Sequence, residues 1–261
     1  MKYMFITPSY LHLEYAYLEQ GKTRLLVRKH WQESLGAALL NKGDMVPLSS
    51  TSGRDTVYTF DFEDSKALLR EYCRGGAIRW FTTRSFLLVN RPLRELAVLE
   101  YLFLHGFPCP EPLGIRWECV GPIFRGAIAT RFIEGENLLH LVTGGAPLDE
   151  RVFHEIGVLI RRMHDLGVYH ADLHIGNIIL VNQGAYLIDF DKAKQFGTLD
   201  QRKRAQNLMR LYRSFRKHRI PLNFFRTVVV GYDWRSAFPS LCKIYSKVGL
   251  GQKNRPDVEM R

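Results

Sequence analysis

Apolar and polar positions change rhythm once along the 261-residue chain. Between about residues 46 and 132, short runs rich in β-branched and aromatic side chains alternate with turn-forming clusters, which is the signature of strands. Thr56-Val-Tyr-Thr-Phe60, Ala67-Leu-Leu-Arg-Glu-Tyr72, Gly114 to Trp117 and Ala127 to Phe132 are such segments. A helix interrupts them from Arg91 to Leu104. Leu93, Leu96, Ala97, Leu99 and Leu102 recur there at helical spacing, Pro92 is placed in the first turn, and Gly106 follows the end. Pro108, Pro110 and Pro112 then hold the chain extended. Before Val46 the signals are mixed. Leu25-Leu-Val-Arg-Lys29 reads as a short basic strand and Gln32 to Asn41 as a helix ending at Gly43, but no arrangement follows for residues 1–45.

The second half moves to a period near 3.6 residues. Asp149 is a good N-cap for a helix through Phe153, Ile156, Leu159, Ile160 and Met163, stopped by Gly167. Short strands follow at Ile178-Ile-Leu-Val181 and Ala185-Tyr-Leu-Ile188, joined by an Asn182-Gln-Gly turn, and the rest is mainly helical. The order predicts an α+β fold with a strand-rich lobe over 1–132, a helix-rich lobe over 133–261, and a cleft near residue 132.

Composition narrows the setting. The apolar runs at Phe86 to Val89 and Val228 to Val230 are strand-sized and far too short to span a membrane. The start, MKYMFITPSY, lacks the pattern of a signal peptide. Cys73, Cys109, Cys119 and Cys242 form no close pair or metal-ligand spacing, which reads as reduced thiols in a cytoplasmic protein. The net charge of +11 calls for a polyanionic partner. Arg202, Lys203, Arg204, Arg210, Arg213, Arg216, Lys217 and Arg219 crowd one segment, with no acidic residue between Asp200 and Asp233. Ala205, Leu208, Met209, Tyr212 and Phe215 recur there at helical spacing, so 200–219 is a basic amphipathic helix whose apolar face packs inward. Its basic face reads equally as a solvated surface or as an anion-binding one.

The chemistry is concentrated in His170-Ala-Asp-Leu-His-Ile-Gly-Asn177 and, after one apolar segment, Leu187-Ile-Asp-Phe-Asp191. Phosphoryl transfer from a nucleotide needs one carboxylate to orient the acceptor hydroxyl, plus an amide and a second carboxylate for magnesium. Asp172 fits the first role, and Asn177 with Asp189 the other two, offering the oxygen ligands a hard cation takes. His170 is expected to orient the loop by hydrogen bonding. His170 and His174 have H-x-x-x-H spacing but no third ligand, so no zinc site is expected.

These motifs, together with Tyr72-Cys-Arg-Gly-Gly76, Val168-Tyr-His-Ala-Asp172 and Asn207-Leu-Met-Arg-Leu-Tyr-Arg-Ser-Phe-Arg216, resemble the lipopolysaccharide kinases of the protein-kinase-like fold over about residues 48–220. The likeness is strongest to those acting on 3-deoxy-D-manno-octulosonic acid (Kdo). It implies a bilobal kinase that uses ATP and Mg2+ to phosphorylate a Kdo hydroxyl on a lipid A precursor. It also implies peripheral attachment to the anionic cytoplasmic face of a bacterial inner membrane, with no nucleic-acid partner. At about 1 kcal/mol per Lys or Arg near an anionic surface, the basic helix suits that setting. The resemblance puts Arg70 where the phosphate-binding lysine usually stands, with Glu95 as its helix partner and Glu100 as the rival. A surface arginine on an edge strand is the competing reading of Arg70. Ser49 to Asp55 takes the place of the phosphate-covering loop, with Gly53 its single glycine, although an ordinary loop is the better default for each residue there. The strand ending near Ile133 is expected to reach the adenine-binding hinge.

About ten residues separate Asp191 from Asp200, with no A-P-E motif, so no peptide-seating activation segment is present. Asp191 also replaces the usual glycine after Asp-Phe. Two rivals stay open: a soluble small-molecule phosphotransferase of the aminoglycoside or choline kinase type, and a pseudokinase that binds a membrane surface.

Overall fold

Strand alternation in the first half builds a sheet with a helix on each face. In the computed structural model, which describes residues 11–233 apart from 42, 44, 49–55, 73–85, 121–122, 148 and 183, the chain runs β1 (Tyr15–Gln20), β2 (Thr23–Arg28), α1 (Gln32–Leu40), β3 (Val46–Pro47), β4 (Thr56–Phe62), β5 (Ser65–Glu71), α2 (Phe86–Leu104), β6 (Pro112–Val120) and β7 (Ile123–Arg131). These strands form one antiparallel sheet of seven, in the order β1-β2-β6-β7-β5-β4-β3. Leu25 and Val27 join the cluster around Leu35 and Leu39 of α1, while Leu26 between them joins Leu96, Leu99 and Leu102 of α2. The same alternation turns Leu69 toward α1, and therefore turns Arg70 toward α2.

Past residue 131 the elements are β8 (Glu136–Asn137), α3 (Leu138–Thr143), α4 (Glu150–Asp165), β9 (Val168–Tyr169), β10 (Ile178–Val181), β11 (Gly184–Leu187), β12 (Lys194–Gln195), α5 (Gln201–Lys217) and α6 (Leu222–Gly231). Asp149 caps α4 by accepting the Arg151 N–H at 2.9 Å. Glycines allow α4 and α6 to cross closely: a Cβ on Gly157 would lie 2.0 Å from the Val228 carbonyl oxygen. Gly167, at φ +76°, ends α4 and lets Phe196 N donate to its carbonyl at 2.9 Å, which docks β12 on β9. Phe153, Ile160, Leu208, Phe215 and Val228 share one continuous core with α2 and its face of the sheet.

Several expectations shift. The helix expected from Arg91 begins at Phe86, so Pro92 lies inside it, where it forgoes a backbone hydrogen bond and crowds the carbonyl four residues back. Both strand-sized apolar runs lie in helices, Phe86 to Val89 in α2 and Val228 to Val230 in α6. The strands at 114–117 and 127–132 are longer at their shared turn, where hairpin pairing recruits residues whose own propensity is weak. Residues 15–40, which had no predicted arrangement, complete the sheet edge and cover its outer face. Cys109 is buried and free, its thiol pushed up to about 12 by burial. No helix among the described residues is long and apolar enough to cross a membrane. Gly53 with its loop, and Cys73 to Gly76, lie outside the described residues.

Candidate active site

Arg70 and Glu95 meet because β5 and α2 each present one face to the other. Arg70 Nη2 donates to both Glu95 carboxylate oxygens at 2.5 Å, and Nη1 lies 3.0 Å from Asp189 Oδ1. The guanidinium therefore divides between two acids instead of forking onto one. Tyr72, two residues along the same face, donates its hydroxyl to Glu95, and its ring carries Arg70 at 5.0 Å and Arg91 at 4.8 Å. Arg91, one helical turn before Glu95, grips Asp191 through two hydrogen bonds. Thus the Asp189 segment is tied to α2 through Arg91–Asp191 and to β5 through Arg70–Asp189. Glu100, the rival partner for Arg70, faces elsewhere and accepts the backbone N–H groups of His12 and Leu13.

Asp172 sits in an exposed turn, while its supports are buried. The His170 ring accepts the Asp172 N–H on Nδ1 at 3.2 Å and donates from Nε2 to the Ile188 carbonyl at 3.0 Å. One imidazole thus spans from the Asp172 loop to the residue before Asp189. Burial holds it below its usual pKa and keeps it neutral, as that pairing requires. Asn177 donates its amide to the Asp172 carbonyl at 2.9 Å, which leaves its side-chain oxygen to face a ligand. His174 caps the turn by accepting the Gly176 N–H at 3.0 Å.

Asn207 was part of a motif but had no assigned role; in α5 it grips the loop from behind. Its amide donates to the His170 carbonyl at 2.8 Å, and its oxygen accepts the His170 N–H at 3.1 Å and His164 Nε2 at 3.0 Å. The available signal was a polar residue on the apolar face of an amphipathic helix, beside Ala205 and Leu208. Asp191 was equally legible, as an acid in the position where glycine is usual, but its Arg91 partner was not, being 100 residues away.

The donor set suits a cation and a polyphosphate. Among the described residues, Glu95, Asp189 and Asp191 form ion pairs only with Arg70 and Arg91, one acid more than there are bases. Asp189 Oδ1 is buried, yet no described donor meets it with hydrogen-bond geometry. Asp189 also holds φ at +63°, a strained backbone for an aspartate.

Burial outweighs Arg70 and the Tyr72 hydroxyl and pushes Glu95 up to about 6, whereas Arg70, driven up by the acids around it, stays cationic throughout. At neutral pH the pair is ionised. As pH falls through about 6, Glu95 takes a proton and releases its hold on Arg70. kcat/KM for ATP is expected to show an acid limb near that value, and Glu95→Gln to abolish the limb at a lower plateau. A limb that persists in the variant would assign it to another group. Folding stability responds in the opposite sense: a carboxyl raised above 4.5 contributes most at low pH and loses that contribution as pH rises through about 6.

Comparisons with known proteins bear on the family and the fold. The family model described as lipopolysaccharide kinase (Kdo/WaaP) matches residues 40–234. A 3-deoxy-D-manno-octulosonic acid kinase of Haemophilus influenzae (strain 86-028NP) is 35% identical over 186 residues, covering 65% of this chain and 75% of that protein. The Vibrio vulnificus (strain YJ016) protein of the same name is 27% identical over 231 residues, covering 82% and 96%. The solved structure "WaaP in complex with acyl carrier protein" superposes with a TM-score of 0.55 at 14% identity, over 86% of this chain and 94% of that one, which bears on the fold alone. With the family match spanning β3 to α6, and so every residue of the site described above, the chain belongs to the lipopolysaccharide kinase (Kdo/WaaP) family.

Proposed function

We propose that this kinase transfers the γ-phosphate of ATP to a hydroxyl of Kdo carried on a lipid A precursor. The single observation that carries the reading is the His170 bridge, which couples the exposed Asp172 to the segment where Asp189 meets Arg70. Asp172 aligns the acceptor hydroxyl and takes its proton as the new P–O bond forms. Arg70, steadied by Glu95, binds the donor phosphates. Asn177 and Asp189 would hold Mg2+, which supplies charge neutralisation on the transferring phosphoryl group. The relatives named as Kdo kinases and the lack of a peptide-seating segment favour a glycolipid acceptor over a peptide or aminoglycoside.

The exposed arc of α5, with Arg202, Arg210, Arg213, Arg216 and Lys217, supports peripheral attachment to an anionic membrane surface such as the cytoplasmic face of the inner membrane. The test is transfer of labelled phosphate from ATP to a Kdo-bearing lipid A precursor, with an aminoglycoside and a peptide as controls. Labelling of the glycolipid alone is expected; labelling of a control in preference to it would overturn the reading. In the same assay, neutralising Arg213, Arg216 and Lys217 is expected to lower turnover of vesicle-borne acceptor more than of detergent-dispersed acceptor. Equal turnover would remove the membrane role.

A further inference from the structure

Beside the strand that delivers the His170–Asp172 loop, β12 and α5 bring two cations with no evident structural role. Tyr169 of β9 immediately precedes His170 and pairs with Lys194 of β12. Directly opposed residues of an antiparallel pair project on the same side. Arg210 Nε donates to the Tyr169 hydroxyl oxygen at 3.4 Å, so that side is the one facing α5. Lys194 and Arg210 are exposed, and neither has an acidic partner among the described residues. Nearby cations differ: Lys203 is paired with Asp200, and Arg204 with Asp165 at 2.6 Å. Two like charges on the same side as Tyr169, without a carboxylate between them, repel each other until an anion arrives.

We propose that Tyr169, Lys194 and Arg210 form the subsite that binds an anionic group of the acceptor, a carboxylate or phosphate lying near the hydroxyl to be phosphorylated. With Nε engaged, Arg210 keeps its terminal nitrogens for an oxyanion, Lys194 adds an ammonium, and the Tyr169 hydroxyl proton is free to donate. The subsite is registered to the reaction centre. Asn207, one helical turn before Arg210, holds both backbone groups of His170, whose ring holds the Asp172 N–H. Further along α5, the Ser214 hydroxyl accepts the Ile175 N–H at 3.3 Å, so the helix follows the loop. Arg70 and Glu95 serve the donor side from β5 and α2, which leaves β9, β12 and α5 to the acceptor. This inference rests on the glycolipid reading and adds which side chains select the acceptor.

The test is steady-state transfer by the full chain to the glycolipid in detergent micelles, where surface recruitment is absent. Lys194→Gln with Arg210→Gln is expected to raise the acceptor KM by about tenfold or more and to move the ATP KM less than twofold, with Arg210→Lys recovering part of the loss. Acceptor lacking its phosphates, and acceptor with the sugar carboxylate esterified, identify the anion: the form that wild type and double variant bind equally poorly lacks the group recognised. An unchanged acceptor KM, an equal rise in the ATP KM, or a defect seen only on vesicles would overturn the subsite. A wild-type chain that leaves the glycolipid unphosphorylated would overturn the acceptor reading and the subsite together; wild-type turnover with an unaffected variant would overturn the subsite alone.

Discussion

Asp172→Asn is expected to lower kcat by about 10²–10⁴-fold while leaving the ATP KM within about twofold. The substitution preserves shape and removes the charge proposed to align the acceptor hydroxyl and accept its proton. Donor binding should survive, because the groups assigned to it, Arg70, Glu95 and Asp189, are held by their own ion pairs and make no contact through the Asp172 side chain. Folding should survive as well, since the carboxylate is exposed and the loop is held through backbone atoms of residue 172, its N–H by His170 and its carbonyl by Asn177. Steady-state kinetics at saturating acceptor decides the matter. A variant within tenfold of wild type would remove Asp172 from the reaction.

Asn207→Ala should produce the largest loss of stability. It strands the His170 N–H, the His170 carbonyl and the His164 ring nitrogen inside the protein, all of which Asn207 satisfies. His164 cannot escape by charging, because burial lowers its pKa to about 4. At about 1–3 kcal/mol for each unmade buried hydrogen bond, with water recovering part, the expected loss is roughly 3–5 kcal/mol. For a chain of this size that corresponds to a Tm lower by roughly 10 °C. kcat should fall as well, with ATP affinity nearly retained, because the loop and not the donor side loses its anchor. Thermal unfolding followed by circular dichroism checks the first part; a shift under about 2 °C would show that Asn207 does not bear the loop.

Much of the fold was legible because local patterns and tertiary burial ask for the same residues. Asp149, Gly167 and the apolar face of α4 specify that helix before any partner is known, and the observed cap and stop sit where they predict. Strands β4, β5 and β10 were readable for the same reason. The strand near Leu25 and the helix from Gln32 were readable too, but β1 and the place of both strands were not, because β1 and β2 have meaning only as the edge that extends the sheet beyond β6, a pairing between segments some 90 residues apart. The start of α2 at Phe86 is not legible, because a proline reads most simply as a first-turn residue and only the tertiary packing of α2 shows it inside the helix.

The site divides in the same way. Asp172, Asn177, His170 and Asp189 stand close in sequence because one loop and one hairpin must present them together, so spacing alone proposed them. The sequence by itself determined the donor and acceptor chemistry these side chains can offer, along with the capped helices and alternating strands that carry them. Only the tertiary structure decided that Arg70 divides between Glu95 and Asp189, that Arg91 reaches Asp191, that Asn207 holds the loop and that Arg210 meets Tyr169. Each of these contacts joins residues 25 to 119 positions apart. Local propensity has no reach over such distances; they are set by how the burial of apolar faces brings α2 and α5 against the elements that bear the chemistry.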